Sequence, residues 1–170
     1  MQRTGWVGLA LVLGLAACGS ETPQATTYGK RPDWSITLKD GRTASAADYD
    51  GKVVIVDFWA TWCPPCVQEI PGFIRLQDQY GGKGLKIVGF SFDRDEAKHD
   101  GWVKEKGMNY LSIFAQNEAG RKIVEQFQEK IGVIEGLPTT LVIDRKGTIV
   151  YKHVGYASPE EFEKVIQPLF

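Results

Sequence analysis

The sequence predicts an α/β fold: a mixed central sheet flanked by helices, with an N-terminal β-hairpin extension. Three observations predict it. Strand-like and helical segments alternate through the middle of the chain. Residues 52–60, KVVIVDFWA, form an unbroken β-branched and aromatic run, which is typical of a strand buried on both faces. Near the C-terminus, two strand-like segments flank a tight turn and a helix follows. Parallel strands joined by helices should therefore come first and the antiparallel hairpin last.

The first half of the domain follows from local patterns. Residues 34–43 alternate apolar and polar side chains up to an Asp-Gly turn, which predicts a strand and hairpin, and a short helical turn should follow in residues 45–52. After the buried strand, a helix should run from Pro64 or Pro65 to about Tyr80. Its apolar face should carry Val67, Ile70 and Ile74, and Pro71 should kink it.

The second half continues the alternation. We expect a buried strand in residues 85–92, a charged surface helix in 94–107, a short strand in 110–115 and a helix in 117–132. Residues 139–144 and 148–154 should pair around the turn at 145–147. The last helix opens with Ser158-Pro159-Glu160-Glu161, a capping box with proline at the first helical position.

Length and charge set limits on the class of protein. The chain of 170 residues fits one domain and a tail, and it is long enough to bury a core without metals or disulfides. A formal net charge of −1 gives no reason to expect binding to nucleic acid or to an anionic membrane surface.

The pattern at the N-terminus predicts a targeting segment. Residues 1–17 carry Arg3 and then a short apolar stretch, which predicts a signal peptide; an uncleaved anchor helix is the alternative. The end of this stretch, LAAC at residues 15–18, resembles the lipobox of bacterial lipoproteins. That resemblance implies that Cys18 is the lipid-bearing first residue of the mature chain, anchored by several acyl chains. Ordinary secretion, with Cys18 removed or free, is the alternative. Residues 18–33 then form the lipidated N-terminus and a polar, flexible tether, and residues 34–170 form the domain.

Two cysteines separated by two prolines, in the stretch WATWCPPCVQEIP, are the candidate reactive groups. A structural disulfide between Cys63 and Cys66 would close a very short loop and gain little stability. A zinc site needs four ligands, and beyond these cysteines the domain offers only His99 and His153. A buried, inert thiol pair is a third alternative, which the flanking strand and helix disfavour. The favoured interpretation is a reversible dithiol in a compartment where disulfides persist.

Helix geometry predicts different roles for the two thiols. If Cys63 is the N-cap of the helix, the helix dipole and free N–H groups there favour its thiolate. Pro64 and Pro65 lack N–H groups, so the amide of Cys66 is the nearest remaining donor. Cys66 should lie shielded in the first turn and act as the resolving thiol.

The motif VDFWATWCPPC, followed downstream by GLPTTLVID, resembles the TlpA/ResA-like thiol-disulfide oxidoreductases of the thioredoxin superfamily. The resemblance covers residues 34–170. It implies that Cys63 is the exposed nucleophile and Cys66 the buried partner of a redox disulfide. It also implies that Pro138 is a cis-proline packed against that disulfide and that Leu137 offers backbone groups to a substrate. Trp62 resembles the aromatic residue beside the nucleophile, with core packing as the alternative.

Two acids are further candidates for the site. Asp57 lies in the predicted buried strand, where a carboxylate is costly unless paired or protonated. It resembles the buried acid of thioredoxin, a proton acceptor for the resolving cysteine; many TlpA-like chains carry asparagine there. Glu69, three residues after Cys66, resembles the active-site glutamate of the ResA-like branch. The alternatives are a hydrogen-bonded structural acid for Asp57 and an exposed helix residue for Glu69.

The resemblance implies a membrane-tethered enzyme without metal or other cofactor that reduces disulfides of exported proteins such as apocytochromes c. Its electrons would come from a membrane thiol-transfer protein. The direction of electron flow stays open, because CPPC does not disclose the redox potential. A thioredoxin-fold Cu(I) carrier, with His153 as the further ligand, is a second hypothesis, and a peroxidase is a third. His153 and His99 are otherwise expected at the surface, as is the charged segment 93–106.

Overall fold

The computed structural model describes residues 27–170, in which a five-stranded mixed sheet carries helices on both faces. The sheet order is β5-β4-β3-β6-β7; β3, β4 and β5 are parallel, and β6 and β7 are antiparallel to their neighbours. A separate two-stranded hairpin, β1-β2, precedes it. The strands are β1 Ser35–Thr37, β2 Thr43–Ser45, β3 Val53–Trp59, β4 Leu85–Ser91, β5 Leu111–Phe114, β6 Thr139–Ile143 and β7 Ile149–Val154. The fold class and the order of parallel strands before the hairpin are confirmed.

The helices lie close to their predicted positions. They are α1 Pro64–Tyr80, α2 Glu96–Glu105, α3 Glu118–Ile131 and α4 Pro159–Ile166, with a 3₁₀ turn at Ala46–Tyr49. The capping box at Ser158 and Glu161 is present, and it sets the start of α4. Helix α1 continues through Pro71, whose side chain is exposed.

Two apolar layers enclose the sheet. One joins β3 to α1 and α4 through Val53, Ile55, Phe73 and Phe162. The other joins the opposite face to α3 and to the β1-β2 hairpin; it contains Trp34, Ile36, Val54, Val56, Phe58, Phe90 and Phe127. Successive β3 side chains point to opposite faces of the sheet. Because both faces are covered, every residue of this strand is buried.

The inner face of α1 differs in part from the prediction. Ile70 is buried, but Val67 and Ile74 are only half-buried, and Phe73, Leu76 and Tyr80 complete the buried face. The apolar stripe is therefore rotated toward the side of the helix that also carries Cys66 and Glu69.

Two predictions of surface exposure are wrong. His99 is 2% exposed, because its Nε2 bonds to Ser112 Oγ at 2.8 Å and its ring contacts that of Trp59. Asp93, the first residue of the charged segment 93–106, is also 2% exposed. It turns inward because Ser91 and Thr61 supply hydroxyl donors.

The chain contacts the domain before residue 34. Tyr28 N–H donates to Ile149 O at 3.0 Å, and Arg31 N–H donates to Gly147 O at 2.9 Å. The last part of the predicted tether thus lies along the start of β7. The predicted signal peptide, residues 1–17, and Cys18 lie outside the described residues. Between residues 27 and 170, no helix combines the length and hydrophobicity needed to cross a bilayer.

Gly89 gives the first prediction, because a Cβ there would lie 2.8 Å from Trp59 Nε1. The Gly89→Ala variant must displace the indole and lose its 3.2 Å bond to Ser112 Oγ, so we expect about 1–3 kcal/mol of destabilisation in urea unfolding. The control is Gly101→Ala in helix α2, where a Cβ meets nothing within 4 Å. It should be neutral or stabilise by up to about 1 kcal/mol. Equal unfolding midpoints for the two variants would contradict this packing.

Candidate active site

The disulfide lies at the N-terminus of α1, directly after the loop that follows β3. Cys63 and Cys66 are bonded, with their Cα atoms 5.3 Å apart. Cys63 is the N-cap residue, and its Sγ accepts from the Cys66 N–H at 3.3 Å. Pro64 and Pro65 occupy the first helical positions, so this bond uses the first amide that the helix offers to the sulfur.

The two sulfurs differ in access. Cys66 is 1% exposed and Cys63 4%, so the predicted exposed nucleophile is itself largely covered in the disulfide form. Cys63 nevertheless lines a surface groove of about 490 Å³, and Cys66 does not. A partner sulfur can therefore approach Cys63 from the groove, which matches the division into attacking and resolving thiols.

The groove is mostly apolar. Its walls are Trp62, Pro64, Pro65, Phe92, Ile134, Glu135, Gly136 and Leu137. Trp62 is 57% exposed, which rules out core packing as its role. Leu137–Pro138 is a cis peptide, as the family resemblance implies, and Thr139 Oγ1 donates to Gly136 O at 2.6 Å.

Asp93 fixes the loop before the disulfide. Its Oδ1 accepts from the Thr61 N–H at 3.0 Å and from Thr61 Oγ1 at 2.7 Å, and its Oδ2 accepts from Ser91 Oγ at 2.7 Å. Sequence reasoning missed this residue. The available signal was its position directly after β4, because the carboxyl ends of neighbouring parallel strands meet at one edge of a sheet.

Asp57 and Glu69 form the buried acidic pair of the site. Asp57, on β3, is 1% exposed, and Glu69, on α1, is 2% exposed, so the exposed-residue alternative for Glu69 is wrong. Ala157 N–H donates to Glu69 Oε1 at 3.0 Å. Asp57 Oδ1, Glu69 Oε2 and the neighbouring Thr140 Oγ1 make no well-aligned hydrogen bond in the described residues.

This environment favours the protonated carboxyls. Burial, and next the charge of Glu69, raise the pKa of Asp57 well above its usual value. Burial raises the pKa of Glu69 to about 7, against the opposing effects of the Ala157 N–H and of Thr140. The pKa of the nearby Tyr110 hydroxyl is also raised, first by burial and then by the charges of Asp57 and Glu69. The pair is therefore suited to hold and release a proton near neutral pH.

A second polar network borders the disulfide cluster. Trp59 Nε1–H donates to Ser112 Oγ at 3.2 Å, and Ser112 Oγ and His99 Nε2 are 2.8 Å apart. His99 Nδ1 lies 2.9 Å from Asp100 Oδ1, and Lys39 of the β1-β2 extension binds the same carboxylate at 2.5 Å. Trp59 packs in the cluster of Cys63 and Cys66, so the network connects that cluster to the hairpin.

Stability should depend on pH through Glu69. Its folded pKa of about 7 lies above the value of 4.5 for an unperturbed glutamate, so the folded state binds the proton more tightly than the unfolded chain. The contribution of Glu69 to stability is then fully present below about pH 4.5 and is lost as pH rises through 7, a change of about 3 kcal/mol. Asp57 acts in the same direction. Urea unfolding of the oxidised protein from pH 5 to 8 measures the slope.

The Glu69→Gln variant should flatten this slope and unfold at higher urea than the wild type at pH 8. The matched control is Glu105→Gln, since the Glu105 side chain is 69% exposed. If wild type and Glu69→Gln showed parallel pH slopes, the proton affinity assigned to Glu69 would be wrong.

Comparisons with known proteins agree with this geometry. The Redoxin family matches residues 19–166. Thioredoxin-like protein YneN of Bacillus subtilis is 34% identical over 96% of this chain and 97% of its own length. Thiol-disulfide oxidoreductase ResA of Bacillus cereus is 29% identical over 97% of this chain and 89% of its own.

A solved structure extends the likeness to three dimensions. The thiol:disulfide interchange protein of the thioredoxin family from Chlorobium tepidum superposes with a TM-score of 0.75 at 31% identity, covering 83% of this chain and 95% of that one. The matched length, and the thiol-disulfide activity in the names of the Bacillus cereus and Chlorobium tepidum proteins, fit a disulfide at a helix N-terminus beside an open groove. The chain therefore belongs to the Redoxin family, and it is a ResA-like thiol-disulfide oxidoreductase with the thioredoxin fold.

Proposed function

We propose that the protein is a membrane-tethered reductase of the bacterial cell envelope that reduces disulfides of exported proteins, such as apocytochromes c. The observation that carries this proposal is the asymmetry of the Cys63–Cys66 disulfide: one sulfur lines an open apolar groove and the other lies beneath it. In its reduced form, such a pair can attack a disulfide of a protein substrate and then form its own internal disulfide. A membrane thiol-transfer protein would return two electrons as a dithiol.

The first step is attack by the Cys63 thiolate on a substrate disulfide. One new S–S bond forms between Cys63 and the substrate, and the other substrate sulfur leaves as a thiolate. The Cys66 N–H, which points at Cys63 Sγ at 3.3 Å, and the start of α1 favour this thiolate.

The second step releases the substrate. Cys66 must lose its proton before it attacks Cys63 Sγ, and that attack forms the internal disulfide while the second substrate thiolate leaves. Asp57 and Glu69 are the proton acceptors we assign, because they are buried acids and Glu69 lies three residues after Cys66 on the inner face of α1. The carboxyl that takes the proton is the one that is ionised at that moment, which the pKa of about 7 for Glu69 makes available near neutral pH. The net reaction oxidises the protein dithiol and reduces the substrate disulfide.

Substrate docking uses the groove. Trp62, Leu137 and Pro138 are the residues we assign to it, with the Leu137 backbone facing an extended peptide and Trp62 covering its apolar side chains. In residues 27–170, the exposed large hydrophobic side chains are Trp62, Val133, Val154 and Tyr156. Val133 directly precedes Ile134 of the groove wall in sequence, and a Cβ placed on Gly136 of that wall would lie 3.7 Å from Val154 Cγ1. This apolar border fits unfolded protein chains better than a small thiol.

The location rests on the N-terminal sequence. We propose that residues 1–17 are removed as a signal peptide, that Cys18 carries the lipid anchor and that the following residues up to 33 act as a tether to the domain at 34–170. The short apolar stretch and the LAAC sequence support this. If mass spectrometry of the mature protein from the membrane fraction showed an unmodified Cys18, the proposed lipid anchor would be refuted.

A Cu(I) carrier is the competing function. It would pair the two thiolates with His153, but His153 Nε2 bonds to the Tyr156 carbonyl at 3.3 Å instead. A Cu(I) competition titration of the reduced protein decides between the two functions. The redox potential measured against glutathione decides direction, because a value near those of the strong oxidants excludes a reductase.

The Cys66→Ala variant should accumulate mixed disulfides with its substrates, because Cys63 can attack but nothing releases the product. Expressed in cells and resolved by non-reducing electrophoresis, it should yield reductant-sensitive adducts whose partner can be identified by mass spectrometry. The matched control is the Cys63→Ala/Cys66→Ala double variant. Equal adduct formation by both proteins would refute the assignment of Cys63.

The Asp57→Ala variant should slow release of the mixed disulfide without slowing its formation. Loss of a positioned proton acceptor costs about 10²-fold or more in the step that it serves. Stopped-flow measurement of both steps with a model peptide disulfide separates them, and Asp93→Asn serves as a control for general disturbance of the loop. An unchanged release rate, with unchanged titration of Cys66, would exclude Asp57 from proton transfer.

A further inference from the structure

One peptide group lies between His153 and the buried acid Glu69. The carbonyl of Tyr156 accepts from His153 Nε2 at 3.3 Å. The N–H of the same peptide unit belongs to Ala157, and it donates to Glu69 Oε1 at 3.0 Å. Because a carbonyl only accepts, the imidazole nitrogen at this contact carries a hydrogen. Both hydrogen bonds therefore point in the same direction: His153 donates to the peptide carbonyl, and the peptide N–H donates to the carboxyl of Glu69.

Strand register places His153 on the same side of the sheet as the acids. Thr140 of β6 is directly opposite Asp57 of β3 and directly opposite His153 of β7. Opposite residues of antiparallel strands share a face. Contacts confirm the direction of the ring, which packs edge-on against Phe162 of α4 at 6.4 Å. His153 is half-buried on the outer strand, whereas Asp57 and Thr140 are closed to solvent.

We propose that His153 is a positioning residue for Glu69, which holds the Tyr156–Ala157 peptide group so that its N–H stays bonded to the carboxyl. This inference rests on the proposed role of Glu69 as a proton acceptor for Cys66. The bond from Ala157 stabilises the carboxylate form of Glu69. A donor on the carbonyl side orients and polarises the peptide, so it strengthens the bond on the other side. Nothing in the two-cysteine motif specifies this residue.

Several titratable groups surround the imidazole. Tyr151 stacks on it from the same strand at 6.3 Å, and α4 contributes Glu161, whose charge acts on Tyr151. The acids Asp57 and Glu69 lie beyond Thr140 and beyond the peptide group, respectively. Lys152, the preceding residue on β7, points to the opposite face, where its Nζ donates to Ile131 O at 2.8 Å. The imidazole donor is therefore the group to vary, and Lys152 is the neighbouring control.

The test compares His153→Phe with His153→Gln in the oxidised, folded protein. Phenylalanine keeps the aromatic packing against Tyr151 and Phe162 but removes the donor, whereas glutamine keeps an N–H donor and removes the imidazole. Carbon-detected NMR titration of the Glu69 carboxyl should show its midpoint rising by about half a pH unit in His153→Phe, roughly a threefold change in proton affinity. The midpoint in His153→Gln should stay near that of the wild type. The Ala157 amide resonance should move upfield in His153→Phe alone.

The control Lys152→Gln should leave the Glu69 midpoint unchanged. An unchanged midpoint in His153→Phe would overturn the proposal, and so would an equal shift in His153→Gln, because loss of the imidazole and not loss of the N–H donor would then be responsible. The pH profile of Cys66-dependent substrate release should move upward with the midpoint in His153→Phe. The carboxyl titration needs no thiol exchange, so a protein whose cysteines fail to exchange would refute the proposed function while leaving this test readable.

Discussion

The arrangement depends on one constraint: the central strand buries the Asp57 carboxyl, and no cation among residues 27–170 contributes to its pKa shift. Asp57 lies in β3 with β4 on one side and β6 on the other, where it meets Gly89 and Thr140 in register. Neither neighbour carries a charge. These strand neighbours therefore give the carboxylate no Coulomb stabilisation, and burial together with the charge of Glu69 favours the protonated form. Burial of Glu69 above it adds a second carboxyl with the same preference.

The rest of the site is built around this pair. The N-cap of helix α1 supplies Cys63, and its first two turns supply Cys66 and Glu69, so the disulfide and one acid are fixed by a single rigid element. The loop at 155–157, between β7 and α4, closes over Glu69 through the Ala157 amide. Asp93, after β4, holds the segment that precedes the disulfide. Elements distant in sequence thus meet at the carboxyl end of the parallel strands, which is where open α/β sheets place their binding sites.

The glycine and aromatic positions explain how a polar row fits inside an apolar core. Gly89 leaves room for the Trp59 indole, whose N–H finds Ser112 on the next strand. His99 then satisfies Ser112, and Asp100 with Lys39 carries the network to the surface hairpin. Each donor in this series has an acceptor, unlike the acidic pair on the other side of Gly89, whose oxygens Asp57 Oδ1 and Glu69 Oε2 lack aligned partners. The satisfied network rigidifies the core, and the unsatisfied pair is left free to exchange protons.

The sequence by itself determined the order of elements, the fold class and the reactive pair. Periodicity, the buried run of β3, capping residues and the CPPC spacing are local patterns, and local patterns follow from the chain alone. Tertiary structure alone decided that His99 and Asp93 turn inward, that Val67 and Ile74 stay half-exposed and that one peptide group links His153 to Glu69. Most of those outcomes need a partner that is distant in sequence: Thr61 for Asp93, Ser112 for His99 and Ala157 for Glu69. Side chains of a charged segment look solvated until the fold brings a serine or a threonine hydroxyl within hydrogen-bonding distance.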